Sequence, residues 1–485
     1  MSVLRIILCL AAALCLSLPL VADEPKPSRP PNIIHILADD LGYDEIGCYG
    51  AKDVKTPNLD RLAKEGMKFT SFYSPAPACS ASRCAILTGC YAERLSLPIV
   101  LWPHSKVGLN EDEVTIGELL KTKGYATSLI GKWHLGCQAK FLPNRHGFDH
   151  SFCIPYANDH EPESTSWIRI PENKDWRPPP MPLYRNGELV EEPADLPALP
   201  LRFTQEAVKF IKEHKDQPFF LHLAPIETHT PWFVSPRFMG ISQRGAYGDA
   251  IESLDWTIGQ VLSTVYHLGL QDNTLVVFSS DNGPLTKLNP NTFELYRKYA
   301  QVDESRTHLL RGSKGTMWEG GVRVACLMRW PGQIPAGSEC KELAAGFDLY
   351  STFAKVAGAQ MPKDSKIDGR DLLPLMTAQP DARTPHNYFY YYQNFRLGAV
   401  RCGKWKLVFP QPPPGQKGKA VDNPAKPELY DLEADVAETK NVAADHADVV
   451  ERLTVLANHA REDLGDSSKN MTGKNHREPG RVDEP

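Results

Sequence analysis

Four times along this chain a short apolar run stops on polar residues able to do chemistry. "NIIHILADD" ends on Asp39 and Asp40, "ATSLIGKWH" on Lys132 and His134, "PFFLHLAPIETH" on His229, and "TLVVFSSDN" on Asp281 and Asn282. The last three follow stretches of helical spacing: "TIGELLKTKG", closed by Gly124, then "RFTQEAVKFIKEHK" and "YGDAIESLDWTIGQVLSTVYH". A further unit, "TPNLDRLAKEGMKFTSFYS", carries Leu59, Leu62 and Met67 near helical spacing before an aromatic strand. Apolar strands alternating with such helices predict an α/β domain, a mostly parallel central sheet flanked by helices on both faces. Ligands of such sheets collect beyond the carboxyl ends of the strands. One strand-end acid means little, but four strands ending this way predict a site.

At 485 residues the chain is long for one domain. It begins "MSVLRIILCLAAALCLSLPLVADEP", one early basic residue, an apolar run and small residues near Ala22. Residues 1–22 are therefore expected to be a secretory signal peptide, and the protein to be exported, periplasmic or secreted. The interrupted run and Pro19 disfavour a membrane anchor, and no later stretch is long and apolar enough to span a bilayer. The alternating units fill residues 30–375. Within them, residues 160–200 are Pro-rich and predicted to be a surface excursion that walls the site. From 376 to 464 the texture changes: "HNYFYYYQ", "LGAVRCGKWKLVF" and "PELYDLEAD" read as antiparallel strands and "DHADVVERLTVLANHAREDL" as an amphipathic helix. This predicts a smaller C-terminal α+β subdomain with an antiparallel sheet, followed by a polar tail over 465–485. A net charge of −5 argues against a nucleic-acid partner.

Asp39, Asp40, Asp281 and Asn282 offer only hard oxygen ligands, with no His or Cys beside them. That set suits Ca²⁺ or Mg²⁺ rather than Zn²⁺. Either pair alone is better read as a turn, since Asp40 precedes Gly42 by two and "DNG" is a common β-turn; together, at the ends of two predicted parallel strands, they favour a metal. Arg83, Lys132, His134, His229 and Lys314 sit in loop-like stretches, Lys314 within the glycine-rich "RGSKGTMWEGGVR". A divalent ion with Arg and Lys side chains makes a receptor for a tetrahedral oxyanion such as sulfate or phosphate. A lone loop histidine is more often structural than catalytic, and His35 and His222, inside strands, belong to that class; His146 and His160 stay undecided. Beyond residue 22 there are nine cysteines, an odd number, which leaves at least one unpaired in an oxidising compartment. Cys79 and Cys84 lie five apart in "APACSASRCAILTG", so Cys79 reads equally as a disulfide half or as something reactive.

"CSASRCAILTG" resembles the signature of the formylglycine-dependent sulfatases, and "GKWHLG", "HTPW", "SSDNG" and "RGSKGTMWEGGVR" resemble that family's other site motifs in the same order. With the closing "ELYDLEADVAETKNVA", the resemblance runs over almost the whole chain beyond the leader and is nearest to the arylsulfatase A and N-acetylgalactosamine-6-sulfatase branch. It implies an alkaline-phosphatase-like core and hydrolysis of sulfate monoesters, of a carbohydrate or an aryl alcohol. It implies that a separate maturase oxidises Cys79 to Cα-formylglycine, whose hydrate attacks sulfur and forms a covalent sulfo-enzyme. One Ca²⁺ is then held by Asp39, Asp40, Asp281, Asn282 and residue 79. Arg83 supports the hydrate and the metal site, while Lys132 and Lys314 neutralise sulfate oxygens. His229 with Lys314 protonates the leaving alcohol, and His134 deprotonates the second hydroxyl. Two positions depart from the pattern: Ala81 stands where many members have Pro, and Ala157, beside Asn158, Asp159 and His160, stands where relatives offer a small polar residue.

Three rival readings are weighed against this one. A phosphomonoester or phosphonate hydrolase on the same fold would carry Thr or Ser as nucleophile, or a second acidic–histidine cluster, which the sequence does not display. A catalytically silent glycan-binding relative would have lost key positions, and all are filled. A disulfide from Cys79 to Cys84 or Cys90 would leave the enzyme inactive.

Overall fold

The computed structural model describes residues 29–160, 178–286, 308–410 and 426–482. The signal peptide expected over 1–22 lies outside them, as does most of the first half of the Pro-rich 160–200 stretch. Among the described residues an 11-stranded sheet runs in the order Ser338–Cys340, Met67–Tyr73, Arg323–Arg329, Thr274–Ser280, Asn32–Ala38, Phe219–Ala224, Ala126–Lys132, His150–Ile154, Leu183–Arg185, Glu188–Glu191, with Ala344–Ala345 beside Met67–Tyr73. Its centre is parallel: Asn32–Ala38 lies between Phe219–Ala224 and Thr274–Ser280, and Ala126–Lys132 between Phe219–Ala224 and His150–Ile154.

Successive strand residues point to opposite faces, and here both faces are buried. Ile33, Leu129, Phe220, Leu275 and Val277 pack on one side with Leu87, Leu119 and Phe353 from the helices Cys79–Thr88, Ile116–Lys121 and Asp348–Ala357. Ile34, Ile36, Ile130, Leu221, Leu223 and Val276 pack on the other with Leu62, Phe210 and Leu254 from Pro57–Glu65, Leu199–Glu213 and Gly245–His267. Each fully buried aliphatic side chain contributes about 1.5–3 kcal/mol, which is why continuous apolar runs, rather than alternating ones, mark these strands. Helix Ile116–Lys121 starts on a capping box in which Thr115 and Glu118 exchange bonds, Glu118 N–H to Thr115 Oγ1 at 3.2 Å and Thr115 N–H to Glu118 Oε2 at 2.7 Å.

Four features differ from the sequence reading. Arg83 and Lys132, expected in loops, lie in helix Cys79–Thr88 and at the end of strand Ala126–Lys132. Strand Arg323–Arg329, unassigned from sequence, is antiparallel to both its neighbours, so the sheet is mixed on that side. The described part of the Pro-rich stretch is no free excursion: Asn186 and Gly187, at φ 51° and 87°, turn a hairpin that extends the sheet beyond His150–Ile154. Residues 465–482 are polar but tied down. Gly465–Asp466 pairs with Met471–Thr472, Gly480–Arg481 pairs with Val107–Gly108, and Arg477 holds Glu113 through two bonds of 2.6 and 2.8 Å.

A second, four-stranded antiparallel sheet runs Phe389–Gln393, Arg396–Cys402, Trp405–Val408, Glu428–Asp431. Helix Ala447–Leu464 covers it, with Val449 and Leu453 packing on Leu407 and Leu429. No helix among the described residues is long and apolar enough to cross a membrane.

Candidate active site

The pairing of Asn32–Ala38 with Thr274–Ser280 sets Ala38 opposite Ser280, so the residues that follow each strand meet. Asp281 N–H donates to Ala38 O at 3.0 Å, Asp40 N–H to Asp281 Oδ1 at 3.1 Å, and Asn282 Nδ2 to Asp40 Oδ1 at 2.7 Å. Asp40 stands at φ 63°, a left-handed turn that folds its side chain back toward the strand ends. All four residues are buried.

Helix Cys79–Thr88 brings the next two. Cys79 opens it and Arg83 stands one turn later, on the same face. Arg83 Nε donates to Asp281 Oδ2 at 2.9 Å, Nη1 donates to Lys132 O at 2.9 Å, and Nη2 lies 2.8 Å from Asp281 and 3.4 Å from Asp39. Ligand atoms of Cys79, Asp39 and Asp281 lie within 4.8 Å of one another, as do those of Asp39, Asp40 and His229. Burial pushes the Cys79 thiol up, with Asp39 and Asp281 adding to the shift against Lys132 and Lys314. Burial likewise raises Asp281, helped by Asp39. All nine cysteines in the described residues are free. The disulfide alternative fails because a five-residue step on a helix turns Cys84 away from Cys79, into the apolar cluster that also holds Cys90 and Leu87.

Lys132 ends its strand with Nζ 2.7 Å from Asp39 Oδ2, and Lys314 reaches Asp40 Oδ2 at 2.7 Å. Opposite charges raise the Lys314 ammonium well above its ordinary range despite burial, so it is a firm cation. Lys314 Nζ also lies 3.1 Å from His229 Nε2. His229 Nδ1 sits 2.6 Å from Thr230 O, a carbonyl that only accepts, so Nδ1 carries the proton and Nε2 takes one from Lys314. Burial and then Lys314 and Lys132 lower the His229 pKa, which keeps the ring neutral. His134 shows the mirror arrangement. Its Nε2 lies 2.9 Å from Leu101 O and so is protonated, which leaves Nδ1 as a buried lone pair with no hydrogen-bond partner among the described residues. Burial, then Lys132, depresses its pKa far below the ordinary value. His134, like Asp40, is left-handed, at φ 64°.

Every sequence-predicted site residue thus converges: Asp39, Asp40, Cys79, Arg83, Lys132, His134, His229, Asp281, Asn282 and Lys314. The donor set fits a hard divalent cation. Asn282 Oδ1 is buried without a hydrogen-bond partner among the described residues, and the lysines occupy only the Oδ2 atoms of Asp39 and Asp40. Among the residues that orient these, sequence reasoning missed Thr228 and named Asn158 and His160 only as candidate substrate contacts beside Ala157. Thr228 Oγ1 donates to Asp39 O at 2.6 Å, and Asn158 Nδ2 donates to His229 O and Pro231 O at 3.3 and 3.1 Å, so Asn158 braces the His229 loop. His160 stacks on Trp102 with ring centroids 3.8 Å apart, 5.5 Å from the His134 ring. No motif announces these; they are single polar residues whose role is set by what the fold brings against them.

Known proteins share this arrangement of fold and sequence. The family model described as Sulfatase matches residues 31–359, and that of the C-terminal part of N-sulphoglucosamine sulphohydrolase matches 312–463. Steryl-sulfatase of Rattus norvegicus is 36% identical over 486 residues, covering 84% of this chain and 82% of its own length. Arylsulfatase A of Homo sapiens is 37% identical over 440 residues, covering 86% and 84%. A crystal structure in complex with k-i-k-neocarrahexaose superposes with a TM-score of 0.74 at 28% identity, covering 89% of this chain and 92% of that one. With the family model matched over residues 31–359 and these relatives matched over more than four fifths of their own length, the chain belongs to the sulfatase family and is a sulfatase enzyme.

Proposed function

We propose that this sulfatase cleaves the sulfate monoester of a carbohydrate through residue 79, after a maturase has oxidised that cysteine to Cα-formylglycine. The observation that carries the reading is a thiol set among hard oxygen donors and cations. Cys79 Sγ lies within 4.8 Å of Asp39 and Asp281 oxygens, and among the described residues no histidine nitrogen is hydrogen-bonded to it. A cysteine nucleophile needs a base or a low pKa, whereas a hydrated aldehyde suits a hard-oxygen centre.

One hydroxyl of the hydrate attacks sulfur, Asp281 taking its proton, and the bond from sulfur to the sugar oxygen breaks. The leaving oxygen takes a proton from the Lys314–His229 pair, in which Lys314 is the source and neutral His229 the partner. Lys132 and Lys314 balance charge on the sulfate oxygens, and Arg83 braces Asp281 and the Lys132 carbonyl. His134 Nδ1 then removes the proton of the second hydroxyl, the bond from carbon to sulfate oxygen breaks, and aldehyde and sulfate are released. Asp39, Asp40, Asp281, Asn282 and residue 79 would hold Ca²⁺, which supplies the charge that acidifies the attacking hydroxyl.

A carbohydrate substrate is supported by the oligosaccharide bound in the structural relative and by the export expected from residues 1–22. The test is mass spectrometry of the tryptic peptide Phe69–Arg83 from protein exported by its native host, with an aldehyde-reactive probe. Loss of the thiol with gain of an aldehyde is expected. An unmodified Cys79 in protein that turns over an aryl sulfate would overturn the reading.

A further inference from the structure

Lys314 stands on a loop whose two feet are held by the C-terminal subdomain. The loop leaves at Arg311 and returns at Glu319. Gly320 N–H closes it on Arg311 O at 2.7 Å, and the Arg311 guanidinium lies 3.5 Å over the Trp318 ring. Both feet end on one residue. Glu438 Oε2 accepts Glu319 N–H at 2.7 Å, and Glu438 O accepts Arg311 Nη1 at 2.9 Å. Glu438 is fully buried and stands at φ 53°, a left-handed conformation unfavourable for a residue other than glycine. That turn lets a single residue offer its carboxylate to one foot and its carbonyl to the other.

The carboxylate is itself fixed. Lys406 Nζ, on strand Trp405–Val408, lies 2.8 Å from Glu438 Oε1 and 3.0 Å from Glu319 Oε1, with all three side chains fully buried. Glu319 also accepts from Tyr391 at 3.0 Å and from Tyr73, and Arg323 lies 3.5 Å from it. An ion set this deep loses so much hydration that well-packed apolar side chains would hold the two subdomains together as well. What apolar side chains would not supply is direction, and the cluster points at the Lys314 loop. Gln393 Nε2 adds a bond to Gly315 O at 2.6 Å from the same subdomain. The short helix Glu319–Val322 that Glu438 caps also receives Gly283 N–H on Gly321 O at 3.0 Å, next to Asn282.

We propose that Glu438, held by Lys406, is a positioning residue for Lys314, so that the C-terminal subdomain sets where the Lys314 ammonium stands between Asp40 and His229. The kinetic consequence rests on the role given to Lys314 above; the structural one does not. Two readouts separate them. Hydrogen–deuterium exchange over residues 311–321 follows the amides of Lys314 and Gly315, which donate to Pro284 O and Pro77 O at 2.9 and 2.8 Å. A double-mutant cycle of Glu438→Gln with Lys314→Ala follows kcat/KM for an aryl sulfate. Glu438→Gln is expected to speed exchange over 311–321 and leave that of the strands Asn32–Ala38 and Phe219–Ala224 unchanged. It should lower kcat/KM about tenfold alone and less than about twofold when Lys314 is already Ala. Equal losses in both backgrounds, or native exchange over 311–321, would overturn the proposal. If Lys314→Ala turned over normally, the role of Lys314 would fall, and exchange alone would decide the positioning. Glu438→Gly, which suits the backbone angle, is read the same way if the Gln variant does not fold.

Discussion

Gly283, immediately after Asn282, is where a single methyl group should do the most damage without touching a reacting group. A Cβ built there would stand 1.8 Å from Gly320 O, with two further backbone carbons of Gly320 and Gly321 at 2.9 and 3.2 Å. Real Cβ contacts are not shorter than 3.0 Å, so Gly283→Ala must part the Asp281–Asn282 turn from helix Glu319–Val322 by at least about 1.2 Å. None of the contacting atoms is a flexible side-chain tip, so backbone has to move. Overpacking of this kind costs about 1–3 kcal/mol, and loss of the Gly283 N–H bond to Gly321 O adds about 1 kcal/mol. A displacement near 1 Å between catalytic groups costs on the order of 10²-fold in rate. We therefore expect about a 100-fold fall in kcat/KM for an aryl sulfate, a lower melting temperature, and easier loss of activity to a chelator. Steady-state kinetics and differential scanning calorimetry check this. Native kcat/KM together with native melting would show that the two turns are not in rigid contact, and would refute the steric argument.

Cys79→Ala should lower kcat/KM by roughly 10⁴–10⁶-fold, with unchanged melting when both proteins are stripped of divalent cations, because the side chain lies among polar groups rather than in an apolar cluster; kinetics and calorimetry on the purified variant decide. His134→Ala should accumulate sulfate on residue 79 during turnover, detected by mass spectrometry of the quenched Phe69–Arg83 peptide, and a slow first step with no adduct would count against the role of His134. Stripping divalent cations and restoring Ca²⁺ at about 100 times its Kd should raise stability by about 2.7 kcal/mol, and a melting temperature indifferent to Ca²⁺ would remove the ion from the site. Glu206 gives a pH test away from the site. Burial raises its carboxyl, but bonds from His150 and Arg185 outweigh that and hold it at about 2 against an ordinary 4.5. Its stabilisation is present above pH 4.5 and lost as pH falls through about 2. Discounted for solvent screening at its Arg185 partner, which is 37% exposed, it amounts to about 1–2 kcal/mol, so wild type and Glu206→Gln should differ in urea midpoint at pH 7 and converge toward pH 2.

How far the sequence foretells this structure varies with the range of the interaction. The parallel core is legible because its strands, buried on both faces, must be apolar throughout, and Ile33 and Ile34 do go to opposite clusters. That Asp39 and Asp281 end on neighbouring strands is not legible, since strand order comes from packing. Arg323–Arg329 was missed for a related reason: following no helix of its own, it enters antiparallel, outside the repeating unit. The hairpin at Asn186–Gly187 did carry a readable turn signal, hidden by the prolines around it.

The charged residues are the harder case. Glu319, Lys406 and Glu438 look in sequence like solvated surface charges, and each is fully buried. Burial of a charge depends on partners far along the chain, Lys406 standing 87 residues from Glu319, which no local pattern encodes. The same holds for backbone strain. Asp40, His134 and Glu438 all adopt left-handed turns without being glycine, two of them in the site and one beneath the Lys314 loop. Such turns persist only where surrounding contacts over-determine them. For Asp40 these are its bonds to Asp281, Asn282 and Lys314; for His134, the bonds to Pro155 O and Leu101 O. For Glu438 they are the two feet of the loop and Lys406. The residue types at the strand ends say what chemistry is available. It is these three turns, each held by groups distant in the chain, that orient Asp40 and His134 within the candidate site and hold Glu438 against the feet of the Lys314 loop.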